Sequence, residues 1–200
     1  MDKFIFEPEP HKYTLNGIVI PGVSEILKAN GLDFFSKVRP DVLSAAQKFG
    51  TAVHRATALW DKQDLAIDML SEPLKPYLNA WIKFKKDSGY EIWAIEQPIY
   101  SKKLWVAGTP DRIGKLKKPG VLDIKVDNEY EPHVALQLAF YLTLWNERHP
   151  DQKIKERLAV ILSPDKYRIE EYKDPTDFDV IMAMRRVYEY KKRYNLLRRQ

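Results

Sequence analysis

The segment from about His133 to Trp145 has helical spacing but is apolar nearly all round, so it has no face to offer water and must lie buried against a sheet. The chain supplies such a sheet on both sides of it. After Gly89 the hydrophobic period changes to two, and Tyr90 to Tyr100, Trp105 to Ile113 and Gly120 to Val126 read as three consecutive strands. The basic turn Lys115-Leu116-Lys117-Lys118-Pro119 joins the last two. Leu158 to Leu162 and Tyr167 to Tyr172 read as two more strands beyond the helix. This order predicts an α/β chain with a central mixed sheet and helices on its faces.

The flanking segments fit that plan. Asn16-Gly17 between Tyr13-Thr14-Leu15 and Ile18-Val19-Ile20 is a hairpin signal, because a type I′ turn needs two positive φ values. Ser24 is the expected N-cap of a short helix ending near Gly31. A longer helix is expected from about Asp41 to Asp64, with Ala45, Phe49, Val53, Ala56 and Trp60 on one side, and another from about Pro73 to Lys86. Pro175 opens a last helix that runs to the carboxyl end. The 200 residues carry no internal repeat and their 13 prolines are scattered, so the chain reads as one domain. Residues 1–40 form a lead-in, 41–172 the core and 173–200 a basic terminal helix.

Composition removes several functions. With no Cys there is no disulfide, no thiolate zinc site, no cysteine nucleophile and no protein-held iron–sulfur cluster. No window approaches the roughly 18 apolar residues of a membrane span, and Met1-Asp2-Lys3-Phe4 lacks the apolar run of a secretory signal, so no membrane partner and a cytoplasmic location are expected.

The stretch Val121-Leu122-Asp123-Ile124-Lys125-Val126 is the most informative one chemically. Strand side chains alternate, so Leu122, Ile124 and Val126 face one side while Asp123 and Lys125 project together from the other. In a hairpin turning at residues 115–119, Asp111 comes close to Asp123. Two facing carboxylates repel unless a proton or cation sits between them, and oxygen ligands with room for water suit Mg²⁺. Lys125 beside that cation could orient a water and steady charge developing on a phosphate. Taken alone, Asp111 and Lys125 would read first as an ordinary cross-strand ion pair and Asp123 as a strand-end polar residue. Gln137 and Tyr141, four apart on the buried helix, add polar groups that need partners. Gly50 lies one turn before His54 and leaves that imidazole open to close approach.

The ordered set Gly50-x-x-x-His54, Glu96, Gly108-Thr-Pro-Asp111-Arg-Ile, Leu122-Asp123-Ile-Lys125 and Gln137-x-x-x-Tyr141 resembles the PD-(D/E)XK nuclease superfamily, and within it the RecB-like and phage-exonuclease branch. His11-x-Tyr13 with Pro21-Gly-Val-Ser24 resembles the lead-in of phage members. The resemblance implies a restriction-endonuclease-like fold. Asp111 and Asp123 would then be metal-binding carboxylates and the Ile124 carbonyl a further ligand. Lys125 would position the attacking water, and His54 would bind or flank the metal. Gln137 and Tyr141 would contact DNA or brace the site, and Glu96 falls where some relatives place another metal-linked acid. The acid that this branch often carries one turn after the His is here Ala58.

The implied activity is a DNA nuclease dependent on Mg²⁺ or Mn²⁺, an exonuclease acting on ends in recombination, repair or phage DNA processing. A recombination or single-strand-binding protein is an expected partner beside DNA itself. A structure-specific endonuclease and a non-catalytic DNA-binding adaptor are the alternatives. Phosphate contacts are expected from Arg112, from Lys115, Lys117 and Lys118 in the turn, and from Lys102 and Lys103. Trp105 and Tyr100 are candidate stacking residues for bases. In the last helix Val180, Met184, Val187, Tyr190, Tyr194 and Leu197 form the expected packing stripe. Residues 185–199 hold seven Lys/Arg and one acid, Glu189, a local +6; against the chain's net +5 this leaves −1 for the rest. The basic excess is therefore a property of one helix.

Overall fold

A five-stranded sheet runs through the centre of the computed structural model, which describes residues 2–32, 39–127 and 132–197. Its strands are β4 (Glu91–Ile95), β7 (Arg112–Lys115), β8 (Pro119–Val126), β9 (Glu156–Ser163) and β10 (Lys166–Glu171), in the order β10-β9-β8-β7-β4. The β8–β9 pair is parallel and the other three are antiparallel. The single parallel step follows from α4 (Pro132–Arg148), which crosses over between β8 and β9. As its apolar circumference requires, α4 is buried on the sheet. Leu138, Phe140 and Leu144 join Val121, Ala159 and Ile161 of the strands in the larger core.

The opposite face of the sheet presents Leu122, Ile124, Leu158, Val160 and Leu162. Against them lie Val53 of α2 (Pro40–Asp61) and Trp81 and Phe84 of α3 (Lys75–Ser88). Two short 3-10 turns, Ile67–Met69 and Glu72–Leu74, connect those helices. A separate antiparallel sheet of β1 (Phe4–Glu7), β2 (Lys12–Leu15) and β3 (Ile18–Ile20) precedes α1 (Val23–Ala29), and α5 (Asp177–Arg193) packs on α4 and α1. The Asn16-Gly17 turn has φ values of 51° and 81°, both in the left-handed region the hairpin needs.

Several expectations change. Ser24 is not the cap of α1, since Gly22 holds that position without a side-chain cap. The stretch Tyr90 to Tyr100 breaks after β4, where Glu96 adopts φ 47°, and resumes as β5 (Ile99–Ser101). Trp105 to Ile113 breaks likewise into β6 (Val106–Gly108) and β7, with Thr109, Pro110 and Asp111 between. Pro110 has no N–H to give a ladder, so the strand cannot run through it. The pieces β5 and β6 pair with each other outside the central sheet.

The terminal helix is turned from its expected orientation. Ile181, Arg185 and Tyr188 are buried; of the expected stripe Met184 and Leu197 pack against the core, whereas Val180, Val187, Tyr190 and Tyr194 are 39, 43, 59 and 56% exposed. Of the basic residues assigned to this helix, Arg198 and Arg199 lie outside the described residues.

Candidate active site

The site forms where β7 begins and β8 outruns it. The hairpin register pairs Arg112 with Leu122, so Asp111, one residue before β7, stands opposite Asp123. Beyond that point β8 continues alone on this side, and its free edge is used. The Ile124 N–H donates to Asp111 Oδ2 at 2.7 Å. Because a strand residue's N–H and C=O point to the same side, the Ile124 carbonyl faces the same opening. Asp111 Oδ1 lies 3.2 Å from His54 Nδ1, which α2 brings over the strand ends. Asp123 is 4% exposed and its Oδ2 is 2.9 Å from Lys125 Nζ. The alternation read from the sequence thus places Asp123 and Lys125 together on the α4 side of the sheet.

The electrostatics separate the two acids. Burial alone would raise Asp111, but the His54 charge and hydrogen bond, the Ile124 N–H and Lys125 outweigh it and hold this carboxyl low, at about 2. Asp123 is pushed up by burial, with the charge of Asp111 adding to the shift and Lys125 opposing it. Burial would lower His54, yet Asp111 and, more weakly, Asp123 raise it. A deeply buried acid held up by a neighbouring carboxylate is a group short of positive charge.

From α4, Gln137 Nε2 donates to the Tyr141 hydroxyl at 3.2 Å. Gln137 Oε1 is buried with no hydrogen-bond partner among the described residues. Tyr141 fits because Gly108 has no side chain: a Cβ there would stand 2.5 Å from the Tyr141 ring. Its hydroxyl is pushed far up by burial and by the charges of Asp123 and Asp111, which places it in their field.

The donor set fits a hard divalent cation such as Mg²⁺ or Mn²⁺. It offers two carboxylates, one of them deeply buried with only a lysine against its Oδ2, and a backbone carbonyl on a free strand edge. Among the described residues no three His, Asp or Glu side chains form a cage. Mg²⁺ commonly takes one or two carboxylates and completes its shell with water and substrate phosphate. His54 Nδ1 is engaged with Asp111, so as it stands the imidazole fixes that carboxylate. Glu96 donates its N–H to the Asp111 carbonyl at 3.0 Å, which places it beside the site through its backbone.

Arg112 corrects an expectation. It is 1% exposed, with Nε donating to Asp61 Oδ2 at 2.8 Å, Nη2 to Thr57 Oγ1 at 3.3 Å and Nη1 to the Asp111 carbonyl at 2.8 Å. Its guanidinium also lies over the Trp81 ring at 5.3 Å. An arginine so enclosed reaches no substrate; it braces the peptide of Asp111 from below. Lys115, Lys117 and Lys118 sit at some distance from the carboxylates. They are exposed, but a hairpin turn lies at the opposite end of its strands from their open ends, and Pro119 to Asp123 spans about 13 Å of strand. Tyr100 is buried, with Arg148 over its ring at 4.4 Å, so it offers no face to a base.

Two links to the site escaped notice in the sequence. Asp61 is one; spaced by seven from His54, it lies on the same helix face, and that spacing was the available signal. Tyr13 is the other: its hydroxyl bonds Thr109 Oγ1 at 2.9 Å and His11 Nε2 at 3.1 Å, tying the lead-in to the segment that carries Asp111.

Comparison with known proteins bears on the fold. A crystal structure of a candidate exonuclease from Eubacterium rectale superimposes with a TM-score of 0.51 at 9% identity, covering 72% of this chain and 65% of that one. The chain therefore spans just under two thirds of that protein's length. At this identity the likeness shows a shared fold, a nuclease-like mixed sheet flanked by helices. A second structure, SSO0001, is 20% identical over 66% of this chain and 67% of its own, with a TM-score of 0.34, and carries no argument. No protein-family profile matches the chain. No curated protein matches it either.

Proposed function

We propose that this chain is a divalent-metal-dependent deoxyribonuclease that hydrolyses phosphodiester bonds from DNA ends, in recombination, repair or phage DNA processing. The observation that carries the reading is the register that sets Asp111 against Asp123 at the open end of β7–β8, with Lys125 two residues on and 2.9 Å from Asp123 Oδ2. Asp111, Asp123 and the Ile124 carbonyl would hold Mg²⁺ or Mn²⁺. When bound, such an ion lowers the pKa of a coordinated water and screens phosphate charge.

The remaining chemistry belongs to the chain. Lys125 holds its ammonium where the attacking water and the crowded phosphate oxygens would meet, and stabilises the negative charge that develops there. His54 and the Ile124 N–H fix both oxygens of Asp111, so little reorganisation is left for the reaction. Gln137 and Tyr141 line the α4 side, and the buried Gln137 Oε1 is an acceptor with no partner among the described residues. End-directed cleavage is supported by the motif order from Gly50 to Tyr141 and, at the level of fold, by the name of the Eubacterium rectale neighbour.

The test uses linear duplexes labelled at the 5′ or the 3′ end, single strands and covalently closed circles, each with Mg²⁺ or Mn²⁺. Mononucleotide or short-fragment release from linear DNA, with circles intact, is expected. Nicked or linearised circles would make the protein an endonuclease. Binding without any cleavage would make it an adaptor.

A further inference from the structure

A groove of about 460 Å³ lies between α5 and the turn joining β5 to β6. The packing face of α5 leaves it open. Since Ile181, Arg185 and Tyr188 are the residues turned inward, Tyr190 and Tyr194 stand in water, their rings 4.8 Å apart. Arg186 and Arg193 share this exposed side, and Lys103 and Trp105, the latter half-buried and packed in part on the cluster of Tyr13, Leu15 and Tyr100, line the groove opposite them. Glu189 is the one acid lining it and is already engaged by Arg185 Nη1 at 2.6 Å. Among the described residues no carboxylate pairs with Lys103, Arg186 or Arg193. The groove therefore offers three uncompensated cations interleaved with aromatic faces.

The wall of this groove is built, not incidental. Arg185 is buried, and its Nε donates to the Leu104 carbonyl at 2.5 Å and its Nη2 to the Trp105 carbonyl at 3.5 Å. These bonds clamp the turn to the helix and hold Trp105 at φ 54°, a conformation a bulky residue adopts only under constraint. The helix thus uses one of its arginines to hold the backbone of this turn at the edge of the groove.

We propose that this groove binds single-stranded DNA, with phosphates on Arg186, Arg193 and Lys103 and bases stacked on Trp105 and Tyr190. Aromatic faces interleaved with cations suit unpaired bases, whose faces a duplex keeps stacked inside. Trp105 is six residues before Asp111, at most about 20 Å of extended chain, so one strand can occupy the groove and the carboxylates together. The inference deepens the nuclease reading by adding a strand-holding surface, and rests on that reading for its role, not for binding itself.

The test measures binding of a labelled oligothymidylate by fluorescence anisotropy in EDTA, where nothing is cut, over a range of salt. The variants are Arg186→Gln/Arg193→Gln and Tyr190→Ala, all at exposed positions. The double variant should bind at least tenfold more weakly at low salt and flatten the slope of log K against log salt by about 1.4, two contacts at about 0.7 each. Tyr190→Ala should weaken binding about tenfold, about 1.4 kcal/mol for one lost stacking contact, and leave the slope unchanged. Wild-type affinity and slope in both variants would overturn the proposal, as would a loss confined to duplex DNA. Groove-dependent binding by a protein that cleaves no DNA under Mg²⁺ or Mn²⁺ would sink the nuclease reading and leave the groove standing. Cleavage by the wild type, with variants binding normally, would do the reverse.

Discussion

Replacing Arg112 with Met should destabilise the protein by about 3 kcal/mol without any direct effect on DNA contact. The Asp61 side chain is fully enclosed and accepts from Arg112 Nε at 2.8 Å and from Trp81 Nε1 at 3.1 and 3.2 Å. Breaking a buried pair from one side typically costs about 3–5 kcal/mol, because the remaining charge stays buried without compensation. Lys85, 3.8 Å from Asp61, survives the substitution and brings the expected loss to the lower end of that range. For a chain of this length it corresponds to a fall in Tm of about 6–12 °C. Urea unfolding followed by tryptophan fluorescence and by circular dichroism gives the free energy. Asp61→Asn/Arg112→Met should recover part of the loss, since no orphan charge remains. A change below about 1 kcal/mol in the single variant would refute the argument. Lost DNA affinity at unchanged stability would return Arg112 to the substrate surface.

Gly108→Ala puts a methyl group 2.5 Å from the Tyr141 ring and 3.1 Å from Val23, so it should cost about 1–3 kcal/mol in thermal unfolding and displace Tyr141 from the site. Mg²⁺ or Mn²⁺ at a hundred times its Kd should stabilise the wild type by about 2.7 kcal/mol, a shift readable by calorimetry, and leave Asp123→Asn unmoved. In metal-free buffer Asp123→Asn should raise Tm at pH 8. A carboxyl whose folded pKa is raised opposes folding when charged, so that gain should shrink as pH falls. Asp174 accepts from the Thr176 N–H at 2.9 Å and hydroxyl at 2.7 Å, which holds its carboxyl below the usual value. Its contribution is present above the unfolded pKa near 3.8 and lost as pH falls through the folded value, so Asp174→Ala should lower Tm at pH 6 and converge with the wild type in strong acid.

The carboxylate pair was legible because three local rules agree on it. The turn at 115–119 sets the register, the period of two sets the face, and an all-round apolar helix demands a sheet to cover it. Glycine punctuation was equally readable: Gly31 and Gly89, at φ 84° and 65°, close α1 and α3 where expected. Arg112 was misread because a sequence displays a charge but not its partner, and Asp61 lies 51 residues away. The terminal helix was read only in part, with Met184 and Leu197 on the core as expected, because two stripes share its surface about one residue apart. One is the more apolar, and the other, Ile181, Arg185 and Tyr188, is the one α4 and α1 accept. Tyr13 and Thr109 meet across 96 residues, and nothing local announces such a contact.

The central claim is that Asp111, Asp123 and Lys125 form one metal-dependent hydrolytic site. Its most direct test is the rate of nucleotide release from linear DNA in Mn²⁺ by the wild type, Asp123→Asn and Lys125→Ala, with folding of each confirmed by circular dichroism. The account predicts metal-dependent release by the wild type and a loss of at least a hundredfold in each variant, about the effect of removing one preorganised charge from a transition state. Folded variants that cleave as fast as the wild type would contradict it.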